Sequence, residues 1–164
     1  MVRGGRTLFV LTITGIALFG LSPSAAPRDL GGLQSLSAQE QSLLQAINQA
    51  RAARGVPPLR VGVRLRSAAR AHSWAMAQSG AFTHGNWYWR LRRHGVRART
   101  LGETIGWGAG ADGTASAIVS MWLGSPPHRA TMLNPGFRRI GVGVAVGTMG
   151  GLPRASVATA DFAG

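Results

Sequence analysis

The feature that most constrains the fold is a run near the C terminus in which bulky and very small side chains alternate. Over residues 140–147, isoleucine and valine alternate with glycine and alanine. Successive side chains of a strand point to opposite faces, so this run predicts a strand with one bulky face and one nearly bare face. A bare face lets a helix or another backbone approach closely. A glycine-rich turn over 147–151 and a second strand over 155–162 would complete a hairpin.

Helical patterns precede this hairpin. Ser37 and Glu40 form a capping-box sequence, and the apolar residues that follow recur at helical spacing. Further helices are predicted over 65–78, ending at Gly80, and over about 115–123. Helices first and sheet last indicate an α+β fold, with helices flanking a small antiparallel sheet.

Composition limits the classes of function. The 164 residues suit one domain, and the 18 basic residues, all arginine, outnumber five acids to give a charge of +13. Such a field attracts anionic envelope polymers, lipids or nucleic acid. Cysteine is absent, which excludes disulfides, thiolate chemistry and cysteine-based zinc sites.

The N terminus is typical of an export signal. Arg3 and Arg6 precede an uncharged, mostly apolar run over 7–21, and small residues follow over 22–26. Fifteen helical residues reach only about 22 Å, short of a bilayer core of roughly 30 Å. We therefore predict a cleaved signal peptide over 1–26, a flexible lead-in over 27–36, and one folded domain over 37–164. The mature protein would be secreted, periplasmic or attached to the cell envelope, with no transmembrane span.

Three polar residues stand in similar settings. His84, Glu103 and His128 are each flanked by glycine, proline, threonine or serine, in a chain with four histidines and five acids. His128 follows a Ser-Pro-Pro turn between two apolar segments. These settings suggest that the three side chains assemble into one site.

The order of these motifs resembles the CAP superfamily, in particular its bacterial, SCP-like extracellular branch. The opening helix matches the family's Leu-x-x-Ile-Asn-x-x-Arg pattern, and Gly102-Glu103-Thr104 matches Gly-Glu-Asn with threonine in place of asparagine. The stretches 65–76, 122–135 and 140–144 match further family motifs. The resemblance covers about residues 43–162 and implies an α-β-α sandwich with a shallow cavity ringed by His84, Glu103 and His128. The second glutamate and the last-strand histidine of animal and plant members are missing.

The chemistry of these three residues stays open at this point. Two imidazoles and one carboxylate can bind zinc or another divalent ion. Alternatively, Glu103 holds one histidine in a defined tautomer while the other accepts a proton, or the cluster only cross-links loops. No Gly-x-Ser-x-Gly elbow is present, and we assign no catalytic residue.

An aromatic and basic segment follows His84. Residues 86–93 contain three consecutive aromatics and three arginines, suited to stacking on a sugar or inserting into a lipid interface. Three adjacent aromatics cannot share one helix face, so at least one is expected to be exposed or to cover the cavity. Trp87, Trp89, Thr104 and Ser125 are the expected rim of the cavity.

Two functions follow from the sequence. The first is an exported, non-enzymatic binding module for an amphipathic lipid or envelope component, such as a glycan or anionic polymer, that requires no cofactor. The alternative is a divalent-metal-dependent, peptidase-like hydrolase at His84, Glu103 and His128. Specific nucleic-acid binding conflicts with the export segment. His72 is expected to be a core histidine, and Asp161 to pair with an arginine.

Overall fold

The computed structural model describes residues 36–164, so the predicted signal peptide and all but the last residue of the lead-in lie outside the described residues. Five helices, four strands and a 3₁₀ turn at Gly110–Gly113 follow one another along the chain. Their bounds are α1 Ala38–Ala52, β1 Arg60–Val61, α2 Val63–Ser79, α3 Trp87–Arg93, β2 Leu101–Gly108, α4 Ala115–Gly124, α5 Pro126–Met132, β3 Arg139–Met149 and β4 Leu152–Ala163.

The strands form one sheet in the order β1-β3-β4-β2. The three long strands pair antiparallel, as predicted, and β3 and β4 form the predicted hairpin with its turn at Gly150 and Gly151. The two-residue β1 adds a parallel pairing to β3, which makes the sheet mixed. Since β1 pairs with only two residues of β3, the unpaired edges of the sheet are β2 on one side and most of β3 on the other.

The bare face of β3 lies against α2. A Cβ atom on Gly141 would stand 2.0 Å from the carbonyl carbon of Leu65, and one on Gly143 would stand 2.4 Å from the amide nitrogen of Arg70. The hydroxyl of Ser73, on α2, donates to the carbonyl of Gly143 at 2.9 Å. Glycine at these positions therefore allows the predicted close approach of helix and strand.

The opposite face carries the main core, under α1, α4 and α5. Trp122 on α4 is fully buried, and its indole N–H donates to the carbonyl of Ile105 at 2.8 Å. Phe162 stacks on Phe137 in the same core, with ring centroids 5.5 Å apart. With α2 and α3 on one side and α1, α4 and α5 on the other, the fold is the expected α-β-α sandwich.

The domain begins with the predicted capping box. The backbone N–H of Glu40 donates to the Ser37 hydroxyl at 3.2 Å, and that of Ser37 donates to the Glu40 carboxylate at 2.8 Å. Burial alone would raise the pKa of Glu40, but hydrogen bonds from Arg70 and from the Ser37 backbone bring it below its usual value. Leu36, the last residue of the predicted lead-in, is also buried in the core. Within residues 36–164, none of the helices combines the length and apolarity needed to cross a membrane.

Candidate functional site

His84 and Glu103 meet at the β2 edge of the sheet. Glu103 faces the α2 side of β2, and its side chain is 1% exposed. His84 lies in the segment between α2 and α3, with a side chain 44% exposed. The Nδ1 atom of His84 stands 2.7 Å from Oε1 of Glu103. A buried carboxylate thus holds an imidazole that solvent can reach.

Arg90 completes this contact from α3. Its Nη2 donates to Oε2 of Glu103, and its Nη1 donates to the backbone carbonyl of His84 at 3.2 Å. The Asn86 side chain caps α3, and Leu91 anchors the helix in a small core under α2. Sequence analysis assigned Arg90 no role, because nothing in a run of arginines distinguishes the one that turns inward.

These contacts fix the tautomer of His84. An ionised carboxylate only accepts hydrogen bonds, so the proton of a neutral His84 ring must lie on Nδ1. The Nε2 atom then carries a lone pair and belongs to the half-exposed ring. The site consequently offers a hydrogen-bond acceptor to a hydroxyl or other donor of a ligand.

Asp161 lies beside Glu103 but is not paired with an arginine. The two residues are direct neighbours across β2 and β4, and Asp161 is fully buried. An ionised Asp161 would have no hydrogen-bond partner, whereas a protonated Asp161 can donate to Glu103. Burial, and then the charge of Glu103, raise the pKa of Asp161 well above its usual value, against a smaller opposing effect of Arg90. The predicted arginine pair is wrong, because the Arg90 guanidinium donates to Glu103 instead.

His128 approaches from the other layer. It lies on α5, which starts at Pro126, and its ring centroid is 6.2 Å from that of His84 at an interplanar angle of 35°. Its Nδ1 is buried with no partner. Burial, followed by the proximity of His84, lowers the pKa of His128. The structure therefore brings the three predicted residues together at one edge of the sheet.

The four predicted rim residues are placed differently from one another. Trp89 is 58% exposed, while Trp87 and Ser125 are half-buried. Thr104 is fully buried, on the opposite face of β2 from Glu103, because side chains alternate along a strand. The expected rim position of Thr104 is therefore not observed.

The conformation does not fit a three-ligand metal site. Both oxygens of Glu103 are engaged, by His84 and by Arg90. In the part of the chain that the structure covers, no three histidine, aspartate or glutamate side chains are arranged to hold an ion. Two imidazoles remain as ligand groups, with Glu103 orienting one of them.

His72 behaves as the predicted core histidine. It is buried on α2, and its Nε2 lies 2.9 Å from the carbonyl oxygen of Thr83. Burial, and next the charge of Arg90, lower its pKa. This bond fixes the backbone immediately before His84.

A separate groove lies between α1 and the start of α4. It has a volume of about 380 Å³. Its apolar wall includes Leu43, Ile118 and Val144, and its polar wall includes Gln39, Ser42 and Ser156. Sequence analysis did not find this groove, because its lining comes from four separated segments.

Comparison with known proteins identifies the family. The family model described as CAP, the cysteine-rich secretory protein family, matches residues 44–159. The protein YkwD of Bacillus subtilis strain 168, described as uncharacterized, is 33% identical over 114 residues, which are 66% of this chain and 43% of that protein. The chain thus spans less than half the length of this relative.

Solved structures show the same fold. An extracellular SCP-domain protein of Bacillus anthracis has a TM-score of 0.63 at 24% identity, over 85% of this chain and 45% of that one. An outer surface protein of Borrelia burgdorferi has a TM-score of 0.60 at 17% identity, over 73% of this chain and 87% of that one. With the family model matching more than two thirds of its length, the chain belongs to the CAP family of cysteine-rich secretory proteins, although it contains no cysteine.

Proposed function

We propose that this chain is an exported binding module that holds a hydroxyl-bearing amphipathic ligand, a lipid or an envelope glycolipid, at His84. Export is supported by the N-terminal sequence and by the extracellular description of a structural neighbour. The observation that carries the proposal is the 2.7 Å contact between Nδ1 of His84 and the buried Glu103. It leaves Nε2 as an acceptor on a half-exposed ring.

The surroundings favour an amphipathic ligand. His128 contributes a second ring 6.2 Å away, and Phe82, two residues before His84, is 44% exposed. A ligand hydroxyl would donate to Nε2 of His84 while an apolar portion contacts these rings. Among residues 36–164, no serine hydroxyl is hydrogen-bonded to His84 or His128, so binding is favoured over covalent chemistry.

A pair of matched lipids tests this binding. A monoacylglycerol has head-group hydroxyls that can donate, whereas its O-methylated analogue cannot. We expect the first to bind about tenfold more tightly, the usual net worth of a hydrogen bond in a partly desolvated site. His84→Phe, which keeps a ring but removes the acceptor, should abolish the difference. Equal affinity of the wild-type protein for both lipids would refute the proposal.

The second candidate is the metal-dependent hydrolase that the sequence suggested at His84, Glu103 and His128. This hydrolase requires either that Glu103 releases Arg90 and binds an ion in its place, or that the two imidazoles bind the ion without Glu103. Zinc binding by the purified chain, measured calorimetrically, tests this candidate. Stoichiometric binding that is lost in both His84→Ala and His128→Ala, with peptide or ester turnover, would favour the hydrolase over the binding module.

A further inference from the structure

The outer side of α3 forms a ridge that the proposed ligand site does not use. We define the α3 ridge as Tyr88, Trp89, Arg92 and Arg93, together with Arg97 just beyond the helix. Trp87 and Leu91 turn inward, which leaves Tyr88 and Trp89 41% and 58% exposed. The expectation that at least one of the three aromatics is exposed is thereby confirmed.

Arginines flank these aromatics on both sides. Trp89 stands between two shallow depressions of about 280 and 400 Å³. Arg93 lines the first depression, and Arg92 and Arg97 line the second. An aromatic ring that protrudes between two arginine-lined depressions suits the head-group region of a lipid bilayer, where phosphates can lie on either side of the ring. A sugar-binding site, in contrast, needs a cleft with both hydrogen-bond donors and acceptors.

The ridge is ordered before it meets a partner. Both Nε and Nη2 of Arg92 donate to the Tyr88 hydroxyl, at 3.1 and 3.0 Å. The rings of Tyr88 and Trp89 pack edge to face at 5.7 Å. Because these side chains are already fixed, docking them costs little conformational entropy.

The charge around the ridge is positive without interruption. Residues 86–99 contain five arginines and no acid. Of the four acids among residues 36–164, only Asp112 is exposed. It lies beyond the far end of β2, roughly 23 Å along the strand from Leu101, which packs beside α3. That separation exceeds the Debye length of about 8 Å at physiological salt, so no exposed acid among the described residues offsets the field of the ridge, and the buried Glu103 is paired with Arg90.

We propose that the α3 ridge docks the protein onto a membrane surface rich in anionic phospholipid. Trp89 and Tyr88 enter the interface, and Arg92, Arg93 and Arg97 contact lipid phosphates. This surface goes beyond the proposed ligand site and does not depend on it.

The test compares vesicles of phosphatidylcholine with vesicles containing phosphatidylglycerol at about three parts in ten, both carrying bromine-labelled acyl chains that quench tryptophan. Every variant is made in the full chain, so the apolar N-terminal segment, which contains no tryptophan, is common to all. The quantity measured is the ratio of affinities for anionic and neutral vesicles, together with the quenching.

We expect Arg93→Gln with Arg97→Gln to lower the ratio roughly 25-fold, about fivefold for each arginine near the surface. Trp89→Phe should remove most of the quenching. The matched controls are Arg54→Gln with Arg154→Gln and Trp74→Phe, exposed residues that line neither depression, and they should change the ratio and the quenching little.

An equal loss in the control pair would mean that net charge alone drives adsorption, and would overturn the proposal. So would a ridge-dependent affinity for soluble DNA or for an anionic glycan polymer without quenching by the vesicles.

Discussion

Two buried polar clusters of this molecule differ in how completely their hydrogen bonds are satisfied. On the α1 side, the fully buried Arg51 donates to the carbonyls of Pro57, Met132, Asn134 and Phe137. On the α2 side, the Glu103 cluster leaves Nε of Arg90 and, across the edge, Nδ1 of His128 without partners.

The Arg51 cluster stabilises the fold, whereas the Glu103 cluster lies at the proposed ligand site. Arg51 has no carboxylate partner in its cluster, and its bonds to carbonyls hold the connection from α5 to β3 against α1. The Glu103 cluster contains two adjacent carboxyl groups, one bonded guanidinium and a solvent-accessible imidazole. Unpartnered buried groups cost stability, and their position beside an exposed ring agrees with the binding site proposed above.

The largest effect is expected at the satisfied cluster. Arg51→Met should lower the free energy of unfolding by about 3 to 5 kcal/mol, because it leaves buried carbonyls without donors. Arg54→Met, in the exposed turn that follows α1, is the control and should stay within about 0.5 kcal/mol. Denaturant unfolding measures both. A small loss for Arg51→Met would show that water replaces the guanidinium, and would remove the distinction between the clusters.

The opposite sign is expected at the unsatisfied cluster. Asp161→Asn should raise the free energy of unfolding at neutral pH by about 1 kcal/mol, because an amide donates to Glu103 as the protonated carboxyl does but does not ionise in the unfolded chain. The raised pKa of Asp161 means that the folded protein keeps a proton which the unfolded chain releases above its usual pKa. The contribution of Asp161 to wild-type stability therefore falls as pH rises from about 4 toward the folded pKa.

Asp161→Asn should remove that decline, so its advantage over the wild type should grow with pH. Thermal unfolding between mildly acidic and neutral pH measures it. A constant or shrinking advantage would contradict the assignment of the proton to Asp161.

The smallest effect is expected at His128. His128→Leu should change stability at neutral pH by less than about 1 kcal/mol, because Nδ1 loses no hydrogen bond. The lowered pKa of His128 means that the unfolded chain takes up a proton that the folded ring does not bind. The contribution of His128 to stability therefore falls as pH drops below about 6.5, opposite in direction to that of Asp161. The variant should lose part of this acid sensitivity, with the rest due to His72. If the free energy of unfolding of the variant falls with decreasing pH as steeply as that of the wild type, His128 does not contribute to the acid sensitivity.

The fold could be predicted from the sequence because the spacing of glycine and apolar residues determines where helices and strands form and pack. The alternation over 140–147 predicted β3 and its bare face. The same signal was present in β2, where Cβ atoms on Gly102 and Gly106 would stand 2.9 Å from Thr131 and 2.7 Å from Met121. No strand was predicted there.

The site was predicted only in part. Local turn chemistry and the family resemblance found His84, Glu103 and His128. Arg90 and Asp161 could not be found in this way, because their roles arise from tertiary contacts: one arginine of α3 turns inward, and β4 places Asp161 in register with Glu103. Spacing along the chain carries no information about such register.

The tautomer of His84 tests the central claim most directly. Nitrogen-15 NMR in mildly alkaline solution distinguishes the protonated ring nitrogen from the bare one. We predict a proton on Nδ1 of His84 in the wild-type protein, and a shift toward the Nε2 tautomer in Glu103→Gln. A proton on Nε2 in the wild type would contradict the account, because the exposed ring would then offer a donor and the hydroxyl-binding site would not exist.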